Sequence, residues 1–222
     1  MMSDRGVALI VVLLVMMLLS ALGLSLTMLT STEERVADAY SSGSEAFYAA
    51  DGALELAVHE LSRIPDWSHV LDGTVTSSFV DPHVSLQEWP GGQAGTGAEA
   101  TALVNCRRTS CTDEDMDART MDRPWGENNP RWRLFAYGPV RNFSTMGPID
   151  SSGYVAVWVG DDPSENDGRP LVDGDDSAGT NPGRGLLTLL VHAYGPSSRR
   201  AIEATVAQAG NGVRVLSWRE VR

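Results

Sequence analysis

The chain has 222 residues, 29 acidic against 17 basic side chains, and a formal net charge of −12 at pH 7. No basic patch and no interleaving of basic with aromatic residues occurs, which excludes nucleic acid as a partner class. With one apolar segment set aside, the length suits a single head domain, and the carboxylate surplus marks a solvated exterior that divalent cations can screen.

The apolar segment comes first. Between Gly6 and Thr30 no side chain is charged. As a helix, Val7 to Thr30 would be about 36 Å long at 1.5 Å per residue. That crosses a hydrocarbon core roughly 30 Å thick with some tilt. The run is too long for a cleaved secretory signal, and apolar residues continue past the small-residue stretch Ser20-Ala21-Leu22-Gly23-Leu24. Five residues precede Gly6, so the reading expects no domain on that side and places residues 31–222 across the membrane. Arg5 and the amino terminus, opposed by Asp4, are consistent with a cytoplasmic N-terminus.

The helical pattern then continues without proline. Val36, Tyr40, Phe47, Ala50, Leu54, Val58 and Leu61 recur at spacings of three, four and seven, one face of an α-helix. Glu34, Asp38, Glu45, Glu55 and Glu60 mostly fall elsewhere. Pro65 stops the pattern, since it lacks an N–H and pushes Ile64 out of the helical region. One helix from about Val7 to Ile64 is expected, apolar all round and then amphipathic. Gly43 and Gly52 each weaken it by about 1 kcal/mol relative to Ala, leaving room for a kink.

After Pro65 the chain reads as a head domain. Asp66–Gly73 predicts a turn or a single helical turn. Thr74–Val80 and His83–Trp89 predict strands split by Asp81-Pro82, and Gly91–Gly97 a loop. That loop lacks the Gly-Lys-Ser/Thr ending of a phosphate-binding loop. Thr112-Asp-Glu-Asp115 matches a capping box and predicts a short helix to about Met121. Trp125 and Trp132 are expected to pack over the helix. Strand signals follow at 132–137, 154–159, 186–194, 201–207 and 213–218. The third and fourth form a hairpin through Gly195-Pro-Ser-Ser198. Alternation at Ile202, Ala204, Val206 and at Val213, Val215 marks half-buried strands. Together they predict an antiparallel sheet on the amphipathic face of residues 36–61, an α+β fold on a long N-terminal helix.

Two features carry candidate chemistry. Cys106 and Cys111 are separated by four residues, a gap that closes into a disulfide in an oxidising compartment; free thiols or a metal site are the alternatives. A zinc site would need further Cys or His, and His83 is distant in sequence. The second feature is the connector 160–176, with Asp161, Asp162, Glu165, Asn166, Asp167, Asp173, Asp175 and Asp176. Hard oxygen ligands at this density suit calcium, with Asp161, Asp162, Glu165, Asp167, Asp173 and Asp175 as the candidate set. The alternating Asp-x-Asp-x-Asp-Gly loop with its closing Glu is absent, so a solvated connector is the competing reading. A bound ion would brace the loop. No cofactor is otherwise expected. His59, His69, His83 and His192 are scattered, no Gly-x-Ser-x-Gly occurs, and His59-Glu60-Leu-Ser-Arg63 lacks the closing histidine of a zinc-protease helix. No enzyme is expected.

The stretches Arg-Gly-Val-Ala-Leu-Ile-Val-Val-Leu-Leu at 5–14, Ser-Thr-Glu-Glu-Arg-Val-Ala at 31–37 and Ala-Phe-Tyr-Ala-Ala-Asp-Gly-Ala-Leu-Glu-Leu-Ala at 46–57 carry a family likeness. They resemble the N-terminal region of PilX-type minor pilins, within the prepilin and pseudopilin superfamily of type IV pili. The resemblance covers residues 1–64 and the head only in outline. It implies a leader at 1–6, a transmembrane helix at 7–30, its amphipathic continuation at 31–64 and a periplasmic or extracellular head at 65–222. It also implies cleavage by prepilin peptidase between Gly6 and Val7 and N-methylation of Val7. The implied partners are other minor pilins, the major pilin, a tip adhesin, prepilin peptidase and the inner membrane. Most pilins carry a glutamate five residues into the mature chain, where this sequence has Val11. A buried charge without a partner is costly, so the substitution suits a subunit used once, at or near the tip, over a repeating one. The tip pseudopilin of type II secretion shares that departure. It and a signal-anchored, calcium-dependent surface adhesin are the rival readings.

Overall fold

The computed structural model describes residues 4–82, 89, 95–116, 130–143, 147–165, 167–174, 183–210 and 212–221. Two compact units divide the chain, residues 1–41 and residues 42–222. The first is helical throughout its described length, the opening part of α1 (Asp4–Leu61). Its side chains from Leu9 to Leu29 are exposed. An uncharged helix with no buried stripe has no protein core of its own to join, the condition of a membrane span. Its few hydroxyls are bonded internally. Ser20 Oγ donates to the Met16 carbonyl at 2.8 Å, Ser25 Oγ to Ala21 at 2.9 Å and Thr30 Oγ1 to Leu26 at 3.0 Å. With Thr27 Oγ1, which donates to the Leu24 carbonyl at 2.8 Å, these bonds give every hydroxyl between Gly6 and Thr30 an acceptor within the helix, as a lipid surrounding requires.

The second unit begins at Ser42 and holds the rest of α1. It adds α2 (Ser68–Leu71), α3 (Gly97–Cys106) and five strands: β1 (Arg133–Pro139), β2 (Tyr154–Asp161), β3 (Leu186–Tyr194), β4 (Arg199–Ala209) and β5 (Gly212–Val221). The strands lie in chain order in one sheet, and every neighbouring pair is antiparallel. This is the α+β arrangement the sequence predicts, and all five late strand signals coincide with strands, Trp132 alone falling just before β1. The hairpin of β3 and β4 turns where expected, closed by Gly195 N–H donating to the Ser198 carbonyl at 2.8 Å.

Alternation in β2 places two cores on opposite faces. Val155, Val157 and Val159 face Ala46, Ala50, Ala53, Leu54, Ala57 and Leu61 of α1. Alanine dominates that helix face and lets the sheet approach closely. Ala156 and Trp158 face the other way and cluster with Trp89, Ala100 and Leu103, so α3 covers the outer face. Gly43 and Gly52 lie within continuous helix. Each sits under a side chain: a Cβ on Gly43 would lie 3.0 Å from Arg200 Nη2, and one on Gly52 3.5 Å from the Phe143 ring.

Several expectations need correction. The helix begins at Asp4 and ends at Leu61, three residues before Ile64. Beyond it, Arg63 N–H bonds the Glu60 carbonyl and Ile64 N–H the Leu61 carbonyl, a tightened final turn, while buried Trp67 donates Nε1–H to the Leu61 carbonyl at 3.2 Å. These bonds satisfy carbonyls that a helix end leaves open. Val36 and Tyr40 are exposed, so the face in the head core starts later, at Ala46. Thr74–Val80 is no strand: only Val80 bridges Tyr137, in parallel. Ser77 N–H bonds the Phe135 carbonyl of β1 and Tyr137 N–H the Phe79 carbonyl, both at 2.9 Å, but the donors of Ser78 and Phe79 go elsewhere. Ser78 N–H and Oγ both reach the Glu60 carboxylate, and Phe79 N–H bonds Ser77 Oγ. Such local side-chain bonds compete with a sheet ladder. The expected strand at 83–89, apart from Trp89, lies outside the described residues, as does Trp125. Trp132 packs against the outer cluster beside α3, not over α1.

Helix α3 was not expected at all, and Gly97, assigned to a loop, is its first residue. Thr96 caps it, its Oγ1 accepting from Glu99 N–H at 3.2 Å. The predicted Thr112–Asp115 box is present in full, with Asp115 N–H to Thr112 Oγ1 at 3.2 Å and Thr112 N–H to Asp115 Oδ2 at 3.1 Å. Residues 113–116 are helical; those from 117 to 121 lie outside the described part.

Candidate functional sites on the helix and the head

Gly6 and Val7, the predicted processing pair, lie in the first turns of α1. They precede the one described helix long and apolar enough to cross a membrane.

Cys106 closes α3, and Arg107 after it takes a left-handed conformation with φ 56°. That reversal turns the chain back, and Cys106 and Cys111 form a disulfide with Cα atoms 5.9 Å apart. Just before it, buried Asn105 clamps the helix to the sheet. Its Nδ2 donates to the Trp132 carbonyl and its Oδ1 accepts from Trp132 N–H, both at 2.9 Å. The disulfide therefore ties off a loop that hangs from an anchored helix end.

The acidic connector is not a solvated run. Asp161 ends β2 opposite Leu187, and Asp161, Asp162, Glu165 and Asp167 are all buried. Asp161 Oδ1 accepts from Asp162 N–H at 3.0 Å, and Asp167 Oδ1 from Arg169 N–H at 2.7 Å. Asp162 is satisfied by Ser164, through N–H at 3.0 Å and Oγ at 2.6 Å. Asp173 is partly buried and accepts from Gly185 N–H at 2.7 Å. Glu165 lies within hydrogen-bonding reach of both Asp161 and Asp167. Gly183, with φ +66°, backs directly onto Glu165, where a Cβ would collide with its side chain. Burial pushes Asp161 up to about 7. Burial, and then the Asp161 carboxyl beside it, pushes Glu165 up to about 11. Burial also raises Asp173. Among the described residues no group of three or more His, Cys, Asp or Glu is already disposed to hold a metal ion. Asp175 lies outside them.

Sequence reasoning missed two surfaces. The first is a groove of about 990 Å³ on the outer face of the sheet, lined by Trp89, Trp158, His192, Tyr194, Arg107 and Arg199 among others. Trp158 and His192 stack edge-on at 5.0 Å, and His192 Nδ1 lies 3.3 Å from Tyr194 Oη. Burial, aided by the Arg199 charge, depresses His192 to about 4. The second surface is β5, the last strand of the sheet, where Leu216 and Trp218 are more than half exposed. The pairing slips between Thr205 and Val206 opposite Leu216. Only the alternation at Trp132–Tyr137, Tyr154–Val159 and Leu186–Tyr194 hinted that a second, aromatic face existed.

Compared with known families, residues 5–55 match the model of the PilX N-terminal domain. That stretch of the chain is similar to the N-terminal domain of PilX-type pilins. The matched stretch contains the whole apolar span and the part of α1 in the head core as far as Leu54, but not Ala57 and Leu61. A long N-terminal apolar helix followed by a five-stranded antiparallel sheet is the pilin-like arrangement. PilX pilins are a structural family, not one known for catalysis. The apolar helix fits a single-pass anchor. Neither the comparison with curated proteins nor that with solved structures finds a significant match.

Proposed function

We propose that this protein is a minor pilin of a type IV pilus, placed at or near the tip, where it helps to prime assembly. The match of residues 5–55 to the PilX N-terminal domain is the observation that carries the reading. In this account prepilin peptidase cuts between Gly6 and Val7, and Val7 becomes the methylated N-terminus. The exposed apolar helix first holds the chain in the inner membrane and then joins the helices of neighbouring pilins. Val11 supports a subunit used once: without a carboxylate there, the chain offers no partner to a neighbour's terminal ammonium. Other minor pilins, the major pilin and a tip adhesin are its proposed neighbours. Immunogold labelling of an epitope on the head, seen on sheared pili, tests the placement. Label confined to one end of each filament is expected. Label spaced along the shaft contradicts the tip reading, and label absent from filaments contradicts the pilin reading.

A further inference from the structure

We infer that the groove on the outer face of the sheet receives an acidic peptide segment of a partner protein, one that also carries an apolar side chain. The groove encloses about 990 Å³, room for a few residues of an extended chain. One wall is α3 and its cap. Ala100, Leu103, Val104 and Arg107 line it at spacings of three, four and seven, so a single helix face looks into the groove. The other wall is the β3–β4 turn, from Gly195 to Arg199, and Trp158 and His192 of the sheet lie beneath. Both walls are fixed before any ligand arrives. Asn105 holds the end of α3 to Trp132 through two bonds of 2.9 Å. Ser198 Oγ donates to the Ser42 carbonyl at 2.8 Å, which ties the turn to α1. A groove already ordered costs its ligand less on binding.

Charge selects the occupant. Arg107 and Arg199 are exposed, and among the described residues they are the only charged groups lining the groove. His192 is neutral at pH 7, because burial depresses it. The described ion pairs engage Arg108, Arg131, Arg200 and Arg219, and neither Arg107 nor Arg199. In a chain of net charge −12, two guanidiniums with no carboxylate beside them are a local reversal of sign. Each presents a fork of donors that matches a carboxylate. The indole donors beneath are already used: Trp158 Nε1 donates to Thr101 Oγ1 at 3.0 Å, and Trp89 Nε1 to Tyr194 Oη at 3.4 Å. What remains for a ligand is the two arginines and the half-buried Leu103 and Val104, which suit an apolar side chain. A sugar is the poorer fit, since it would need an exposed indole face to stack on, and Trp158 is 0 % exposed and Trp89 3 %. Two cations also fall short of the positive channel that tracks a nucleic-acid backbone. This inference does not depend on the pilin reading.

The test selects a phage-displayed library of random heptapeptides on the full chain in uncharged detergent. The selected peptides are expected to combine Asp or Glu with Leu, Ile or Phe. A labelled peptide from that selection, followed by fluorescence anisotropy, should bind at least tenfold more weakly to Arg107→Glu and to Arg199→Glu. It should bind unchanged to Arg141→Glu, an exposed arginine elsewhere. Replacing its apolar residue by serine should also weaken binding at least tenfold. Tryptophan emission checks that each variant folds; should a charge-reversed variant fail to, Arg107→Gln and Arg199→Gln take its place with the same expectation. Selected peptides without acidic residues overturn the inference, and so does binding retained in both arginine variants or in the serine peptide. A library that yields no binder overturns it too, whether or not polygalacturonate, an acidic polysaccharide, binds instead.

Discussion

His192→Gln should flatten the acid limb of the head's stability curve. His192 sits on β3 beneath the outer groove, against Trp158 and Tyr194. Its folded pKa is depressed to about 4 from an ordinary value of 6.5, first by burial and then by Arg199. The sign follows from linkage. Below pH 6.5 the unfolded chain takes up a proton that the folded chain refuses, so stability falls as pH drops from 6.5 towards 4 and levels off below. A depression of about 2.5 units at about 1.4 kcal/mol per unit sets a ceiling of roughly 3 kcal/mol. Carboxylates raised by burial act with the opposite sign, so the parent curve alone is not diagnostic; the difference between parent and variant is. All six tryptophans lie beyond residue 65, so indole fluorescence in detergent reports the head and not the apolar helix. Urea unfolding from pH 7 to pH 4 should show the parent losing up to about 3 kcal/mol relative to the variant. Parallel curves would show that His192 titrates at its ordinary value and that the groove floor is wetter than described.

Three further outcomes follow from the same geometry. The Cys106–Cys111 bridge closes a ring of only five residue steps, so reducing it, or replacing both cysteines by serine, should cost about 2 kcal/mol or less, read as a lower urea midpoint. Gly52→Ala should stabilise the head by up to about 1 kcal/mol, since helix propensity favours alanine and the new methyl meets Phe143 at an ordinary 3.5 Å; a loss would mean that the ring cannot be approached. Trp67→Ala should cost about 3 to 5 kcal/mol, the range for deleting a buried indole, because Trp67 is 0 % exposed and closes the end of α1 on Leu61; calorimetry of the same detergent sample would show it.

The strands were legible because each alternates or runs apolar for its full length. Leu186–Tyr194, bounded by glycines, reads as β3 from its letters alone. Helix α3 was hidden by the glycine-rich stretch before it and by a run of small residues, Gly-Ala-Glu-Ala-Thr-Ala, with little periodicity. Its capping box, Thr96 to Glu99, was nevertheless there to be read. The reverse error occurred at Thr74–Val80, whose composition is that of a strand. Glu60, distant in sequence, captures the donors of Ser78, and no local pattern announces that. The acidic connector shows the same limit more sharply. Its letters describe a solvated run, but β2 and the turn at Gly183 carry Asp161 and Glu165 inside. Burial of that kind is set by chain segments far apart. The apolar helix needed no such context, because an uncharged stretch from Gly6 to Thr30 is legible from its letters as long and apolar enough to cross a membrane.

The most direct test of the account is the mass of the N-terminal peptide from cells with an active prepilin peptidase. The account predicts a chain beginning at N-methylated Val7, with residues 1–6 removed. A chain still beginning at Met1 in those cells, with the major pilin processed beside it, would contradict the pilin reading.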